Sequence, residues 1–166
     1  MYDRLVEICT AIPKEGSVKV LVITGAGGRA FAAGTDIAQF RAFSTPEHGL
    51  AYEKRADEIF ATLEACPVPT IAAIAGACTG GGAGIAACCD IRLASKDMRF
   101  GFPIARTLGN CLSASTLRRL VAVAGQARVG DMIYSARLLD AEEARSIGLV
   151  NEVLDTIRAL ANAGVP

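Results

Sequence analysis

The residues best placed to do chemistry are the glycines of Ala75-Gly76-Ala77-Cys78-Thr79-Gly80-Gly81-Gly82-Ala83-Gly84, and the chemistry they offer is that of the backbone. A β-branched run, Thr70 to Ile74, precedes them and an alanine-rich segment to Cys89 follows, so the implied order is strand, glycine turn, buried helix. Glycine permits positive φ and lets another molecule come close to the chain. The first amides of the following helix have no partner within it and carry the positive end of its dipole. Such amides can hold a carbonyl oxygen or a developing negative charge.

The same stretch admits other readings. It has no charge from Ala65 to Cys89, and Gly76, Gly80 and Gly84 follow the G-x-x-x-G spacing of membrane helices. Against a span stand Pro67, Pro69 and the glycine triplet. Gly76-Ala77-Cys78-Thr79-Gly80 has the outline of a nucleophile elbow with cysteine for serine, but the one histidine, His48, precedes it in the chain. A tightly packed turn with no ligand is the plainest alternative. A second glycine motif, Gly25-Ala26-Gly27-Gly28-Arg29-Ala30, fits the G-x-G-x-x-A of dinucleotide-binding turns and keeps a nicotinamide (NAD) oxidoreductase open. That fingerprint needs an uninterrupted helix next, whereas Phe31 to Asp36 brings another glycine and a helix cap.

The positioning elements follow from periodicity. Leu5, Ile8, Cys9 and Ile12 mark a first helix ended by Pro13, and Val18 to Thr24 reads as a strand of a mostly parallel sheet. Asp36 can cap a short helix through Phe40, and a longer one runs from Pro46 to Cys66 with Ala56, Ile59, Phe60 and Leu63 inward. Asp90 to Ala94 and Met98 to Phe102 are extended, and helices follow on the face of Leu117, Leu120, Val121 and Ala124 and then to Ser135. Asp140 with Glu143 opens a further helix ended by Gly148, Leu149 to Val153 is a last strand, and Asp155 begins another helix. Alternating strands and helices predict an α/β fold with a largely parallel sheet in one domain over residues 1–166.

Composition narrows the partners. Lys+Arg and Asp+Glu balance at 17 each, which gives no reason to expect nucleic acid or an anionic membrane. A hydrophobic fraction of 52% and a mean hydropathy of +0.37 predict that apolar surface meets another subunit or a further part of the fold. The six cysteines form no C-x-x-C pair, no metal-type spacing is present and no signal peptide opens the chain, so a cytoplasmic setting with buried free thiols is expected.

With the elements in order, Val20 to Ile37 and Ala73 to Ile91 resemble the crotonase (enoyl-CoA hydratase/isomerase) superfamily. Phe100-Gly101-Phe102-Pro103, Ser135 to Ala144 and Gly148-Leu149-Val150 continue the likeness. The resemblance implies a spiral of β-β-α turns, short of the usual N-terminal strands and C-terminal helical region. It implies an acyl-CoA thioester substrate, no cofactor beyond the coenzyme A of that substrate, and a homo-oligomer, trimer or hexamer. Carried over by position, the backbone amides of Thr35 and Gly81 form an oxyanion hole. Substrate contacts fall at Ala33, Asp36 and Ile37, which match the adenine-pocket stretch, and at Ala77, Thr79, Gly80, Pro103 and Leu108. Asp36 can equally be a helix cap alone.

The departures bear on the reaction. Hydratases of that superfamily carry glutamates at positions that are Gly84 and Ile104 here, and neither residue titrates. Hydration by two glutamates is therefore not expected, and the acid/base residue is left unassigned. Polar groups after Pro103, namely Arg106, Thr107, Asn110, Cys111 and Ser113, are local candidates, with capping by Ser113 or Asn110 as the structural alternative. Arg118-Arg119 reads as a solvated helix face, Tyr2, Tyr52 and Tyr134 as packing residues, and His48 as an exposed residue at a helix start. Enolate chemistry on an acyl-CoA, and acyl-CoA binding without turnover, both fit this pattern.

Overall fold

The computed structural model describes residues 1–34, 40, 42–107, 109 and 112–156. Its strands form two four-stranded sheets. The first has the order β1 (Leu21–Thr24), β3 (Thr70–Ile74), β5 (Ile91–Ser95), β8 (Glu152–Leu154), all parallel. The second has β2 (Ala30–Ala32), β4 (Ala77–Thr79), β6 (Arg99–Gly101) and β7 (Leu139–Asp140), and only its β6–β7 pair is antiparallel. Consecutive strands alternate between sheets before a helix returns the chain. β1 and β2 lead to α2 (Pro46–Glu64), and β3 and β4 lead to α3 (Gly81–Cys88). This is the expected β-β-α spiral with mostly parallel pairing.

The short strands β2, β4 and β7 are absent from the sequence reading, being two or three residues long. The stretch after Ala75 is one of them: the chain turns sharply at Gly76 (φ 55°), where a Cβ would lie 2.0 Å from the Arg29 carbonyl oxygen, and enters β4 before the helix. The strand expected at 149–153 begins instead at Glu152. Asn151 is diverted to pair with Arg92, its side-chain oxygen accepting the Arg92 amide at 2.9 Å and its own amide reaching the Arg92 carbonyl at 2.9 Å. The Asp140 cap holds, its carboxylate accepting the Glu143 amide at 2.9 Å, but Glu143 turns to Arg137 rather than back to the cap.

Among the helices α2 and α5 (Ala114–Ala124) pack on α3, while α1 (Tyr2–Ala11) packs on α2, and α6 (Gln126–Ser135) packs on α5 and on α4 (Ile104–Thr107); the core they share includes Leu63, Ile74, Met98, Phe100, Phe102, Leu120 and Met132. Residues 82–88 of α3 are all buried, which only small side chains permit at such close packing. The helix C-terminus is closed by Arg92, 5% exposed, whose guanidinium donates to the carbonyls of Ala86 (3.3 Å), Cys89 (2.5 Å) and Leu149 (2.6 Å). A cation there complements the dipole whose positive end lies at Gly81. Thr70 and Asp90 brace the same end: the Asp90 carboxylate accepts the Thr70 amide at 2.7 Å and its hydroxyl at 2.8 Å.

Arg119 is not on a solvated face. It is 8% exposed, forms a two-pronged pair with Glu64 (2.6 and 2.8 Å) and lies 5.9 Å above the Phe60 ring, whereas Arg118 is exposed. Tyr134 is 87% exposed rather than part of the packing of the core, its ring lying along α6 beside Gly130. Cys9, Cys66, Cys78, Cys88 and Cys89 are free thiols, as expected, and Cys111 lies outside the described residues. Among the described residues no helix is long and apolar enough to cross a membrane, because β3, β4 and the eight-residue α3 divide the uncharged stretch between them.

Two measurements test this packing. Arg92→Met leaves three carbonyls without their charged donor and should destabilise the fold by about 2–3 kcal/mol, read as a lower urea midpoint. Burial pushes the thiol of Cys9 up to about 11, and those of Cys88 and Cys89 up to about 12. The folded state therefore keeps protons that unfolded thiols release. Their stabilisation is complete below about pH 9 and is lost as the pH climbs toward 12, so unfolding free energy should fall across that window, less steeply in Cys88→Ala.

Candidate active site

A cavity of about 790 Å³ opens in front of the N-terminus of α3. Gly80 precedes the helix with φ 54° and ψ −122°, a conformation that suits glycine, and its amide donates to the Gly101 carbonyl at 3.0 Å. That bond fixes the end of β4 to β6. Gly81 is the first helical residue, and among the described residues its amide has no hydrogen-bond acceptor. The loop after β2 comes up against it. A Cβ built on Gly34 (φ 106°) would lie 3.4 Å from the Thr79 carbonyl oxygen and 3.8 Å from the Gly81 nitrogen. The two glycine-bearing loops thus converge on one point.

The walls are mostly apolar. One stripe of α2, comprising Pro46, Gly49, Leu50, Glu53, Ala56 and Phe60, faces the cavity at helical spacing. Opposite stand Phe102, Pro103, Ile104 and Leu112. Phe40, Phe43 and Tyr52 form an edge-to-face cluster on the wall, with Phe40 centroids 5.3 Å from Phe43 and 4.9 Å from Tyr52. Ser113 caps α5, accepting the Thr116 amide at 3.3 Å, while its hydroxyl donates to the Asp57 carboxylate at 3.0 Å. Ser115 also donates to Asp57. Glu53 is the one carboxylate among the described lining residues.

Ala33, Thr79, Gly80, Gly81 and Pro103 of the expected set line this cavity together. Thr35, Asp36, Ile37 and Leu108 lie outside the described residues, as do Asn110 and the expected 36–40 helix apart from Phe40. Ala77 stands at the start of β4, roughly 6.6 Å of strand before Thr79, and is not among the residues lining this cavity. Arg106 is exposed, with its guanidinium directed to the Ser135 carbonyl. Tyr2 and Tyr52, read as packing residues, both line the cavity, and His48 is exposed as expected.

Comparison with known proteins decides the lineage. The Enoyl-CoA hydratase/isomerase family profile matches residues 1–163. This chain belongs to the enoyl-CoA hydratase/isomerase family. It is 36% identical over 155 residues to a crotonyl-CoA hydratase of Syntrophomonas wolfei, covering 92% of this chain and 59% of that protein. It is 34% identical to the mitochondrial Delta(3,5)-Delta(2,4)-dienoyl-CoA isomerase of Mus musculus, covering 98% of this chain and 52% of that one. An enoyl-CoA hydratase/carnithine racemase structure from Magnetospirillum magneticum superposes with a TM-score of 0.90 at 37% identity, over 98% of this chain and 62% of that one. The chain thus spans between half and two thirds of these relatives' lengths.

Within this enoyl-CoA hydratase/isomerase chain the other readings of the glycine motifs lose their footing. Cys78 is fully buried on β4 and burial raises its thiol far above the usual range, so no thiolate is available for an elbow. Gly25 to Ala30 forms a short 3-10 turn (Ala26–Gly28) and then β2, not the helix a pyrophosphate would need. A second cavity of about 460 Å³ borders that turn, but its Lys96 is paired with Asp155 at 2.5 Å, and the adjacent Asp97 is held by Ser95 and the Gly76 amide.

The sequence reading missed the part played by α2. A Cβ added at Gly84 would lie 2.5 Å from Phe60 Cζ, with two further ring carbons at 3.0 and 3.1 Å. The ring of Phe60 fills the place where a side chain at residue 84 would begin. The i, i+3, i+4, i+7 stripe was visible as an inner face, but nothing in the sequence marks which part of it fronts a cavity. Gly84→Ala alone should destabilise the fold by about 1–3 kcal/mol, and Phe60→Leu/Gly84→Ala should recover part of that loss, read as melting temperature. Equal melting of native protein and the single variant would contradict the packing.

Proposed function

We propose that this chain binds an acyl-CoA thioester with its carbonyl oxygen on the Gly81 amide and stabilises the enolate formed when the α-proton leaves. The observation that carries the reading is the convergence of the Gly34 loop on the first amide of a buried helix at the floor of an apolar cavity. In this reading the amide of Thr35, the next residue in the chain, is the second donor. Two donors aimed at the position of the oxyanion act where water is excluded, and each is typically worth about 10²–10³ in rate. The apolar walls suit the acyl group and the uncharged arm of the coenzyme. The described lining residues include no lysine or arginine.

Water addition by a pair of glutamates is not part of this function. Position 84 is glycine packed under Phe60 and position 104 is isoleucine, so neither activates water nor delivers a proton. The same facts favour acyl-CoA binding without turnover as the second reading.

Three ligands separate these outcomes. Butanoyl-CoA should bind and exchange its α-protons for deuterium in heavy water, crotonyl-CoA should bind without being hydrated, and NAD should not bind. Binding without exchange supports the second reading, hydration of crotonyl-CoA contradicts the mechanism, and failure of every CoA ester to bind overturns the assignment.

A further inference from the structure

The geometry points to Glu53 as the catalytic carboxylate of this site, taking the α-proton of the bound thioester from the α2 side; the inference rests on the acyl-CoA reading above. α2 leads into β3 and α3 into β5, and these strands are parallel neighbours, so the two helices run in the same direction. They touch at Phe60 and Gly84. Three residues back along each helix, Asp57 comes level with Gly81, where α3 begins. α2 continues beyond that level, and Glu53 lies four residues, or about 6 Å of helix, out in front of the Gly81 amide. A thioester oxygen about 3 Å from that nitrogen places the α-carbon a bond or two farther out, in the slab of cavity that Glu53 borders.

Other groups near this slab are less suited. Asp57 is occupied by the hydroxyls of Ser113 and Ser115. Thr79, Ser113 and Thr116 are hydroxyls with a proton to give rather than to take. Glu53 carries the sole carboxylate of the described wall. In the step assigned to it, the α C–H bond breaks, its electron pair becomes the carbon–carbon bond of the enolate, the negative charge passes to the oxygen at Gly81, and the proton moves to the Glu53 carboxylate. Return of that proton to the α-carbon gives exchange. In a β,γ-unsaturated acyl group, removal from the α-carbon and return at the γ-carbon shifts the double bond, with no water or redox partner consumed.

The test compares native protein with Glu53→Gln and, as control, Glu58→Gln, whose side chain is exposed and pairs with Arg55. Butanoyl-CoA affinity and α-proton exchange are measured for each. The expected result is Glu53→Gln binding within about twofold of native with exchange slowed by roughly 10²–10⁴, while Glu58→Gln exchanges normally. Exchange at the native rate in a Glu53→Gln protein that binds butanoyl-CoA overturns the role of Glu53 and leaves the acyl-CoA reading intact. Native protein that binds butanoyl-CoA without exchanging it overturns the role too, and native protein that binds no CoA ester overturns both.

Discussion

The constraint on which this structure turns is a short helix buried on every side whose first amide must nevertheless face open space. α3 can be enclosed by α2, α5 and both sheets only because its residues are small: Gly82 packs so closely on β2 that a Cβ would meet the Ala32 carbonyl oxygen at 2.3 Å. Burial raises the electrostatic worth of the helix termini, since no solvent screens them. The C-terminal carbonyls are answered by Arg92 and the N-terminal amide is left to the cavity. One end of the dipole is satisfied by the protein and the other is available to a ligand.

The packing at Gly84 and the chemistry at the cavity are therefore one question. Phe60 has the guanidinium of Arg119 5.9 Å from its ring centre, and Arg119 is itself paired with Glu64. A side chain at residue 84 and a ring at residue 60 exclude one another. With a glycine at 84 the ring covers that flank of the cavity with hydrocarbon, and the carboxylate proposed for acid/base chemistry lies on the same α2 stripe, nearer the helix start.

Much of the fold was legible because long periodic segments declare themselves. The 46–64 helix, the β-branched strands at 21–24 and 70–74 and the Asp140 cap each carry a local physical signature. What was not legible depends on partners distant in sequence. β2 and β4 are three residues each and exist because they pair with one another, with register Ala30 to Ala77, not because their sequences favour extension. Arg119 looks like surface from its neighbour Arg118 and is buried because Glu64, 55 residues earlier, meets it. The backbone part of the candidate site was readable from glycines, whereas its side-chain part, Glu53 and Phe60, is fixed by how far α2 overlaps α3.

That overlap also explains why glycine motifs are poor guides when read singly. Gly25 to Ala30 and Gly80 to Gly84 look alike as sequence, but the first follows β1 of one sheet and the second follows β4 of the other. After β1 the glycines serve a sharp reversal: a Cβ on Gly25 would lie 1.7 Å from the Ala30 carbonyl oxygen, so the chain folds back on itself and continues as β2. After β3 the reversal is made earlier, at Gly76, and the triplet is free to start a helix. The second arrangement starts a helix whose first amide, among the described residues, has no acceptor and lies at the larger cavity, and the distinction lies in where each turn is made relative to the element that follows it.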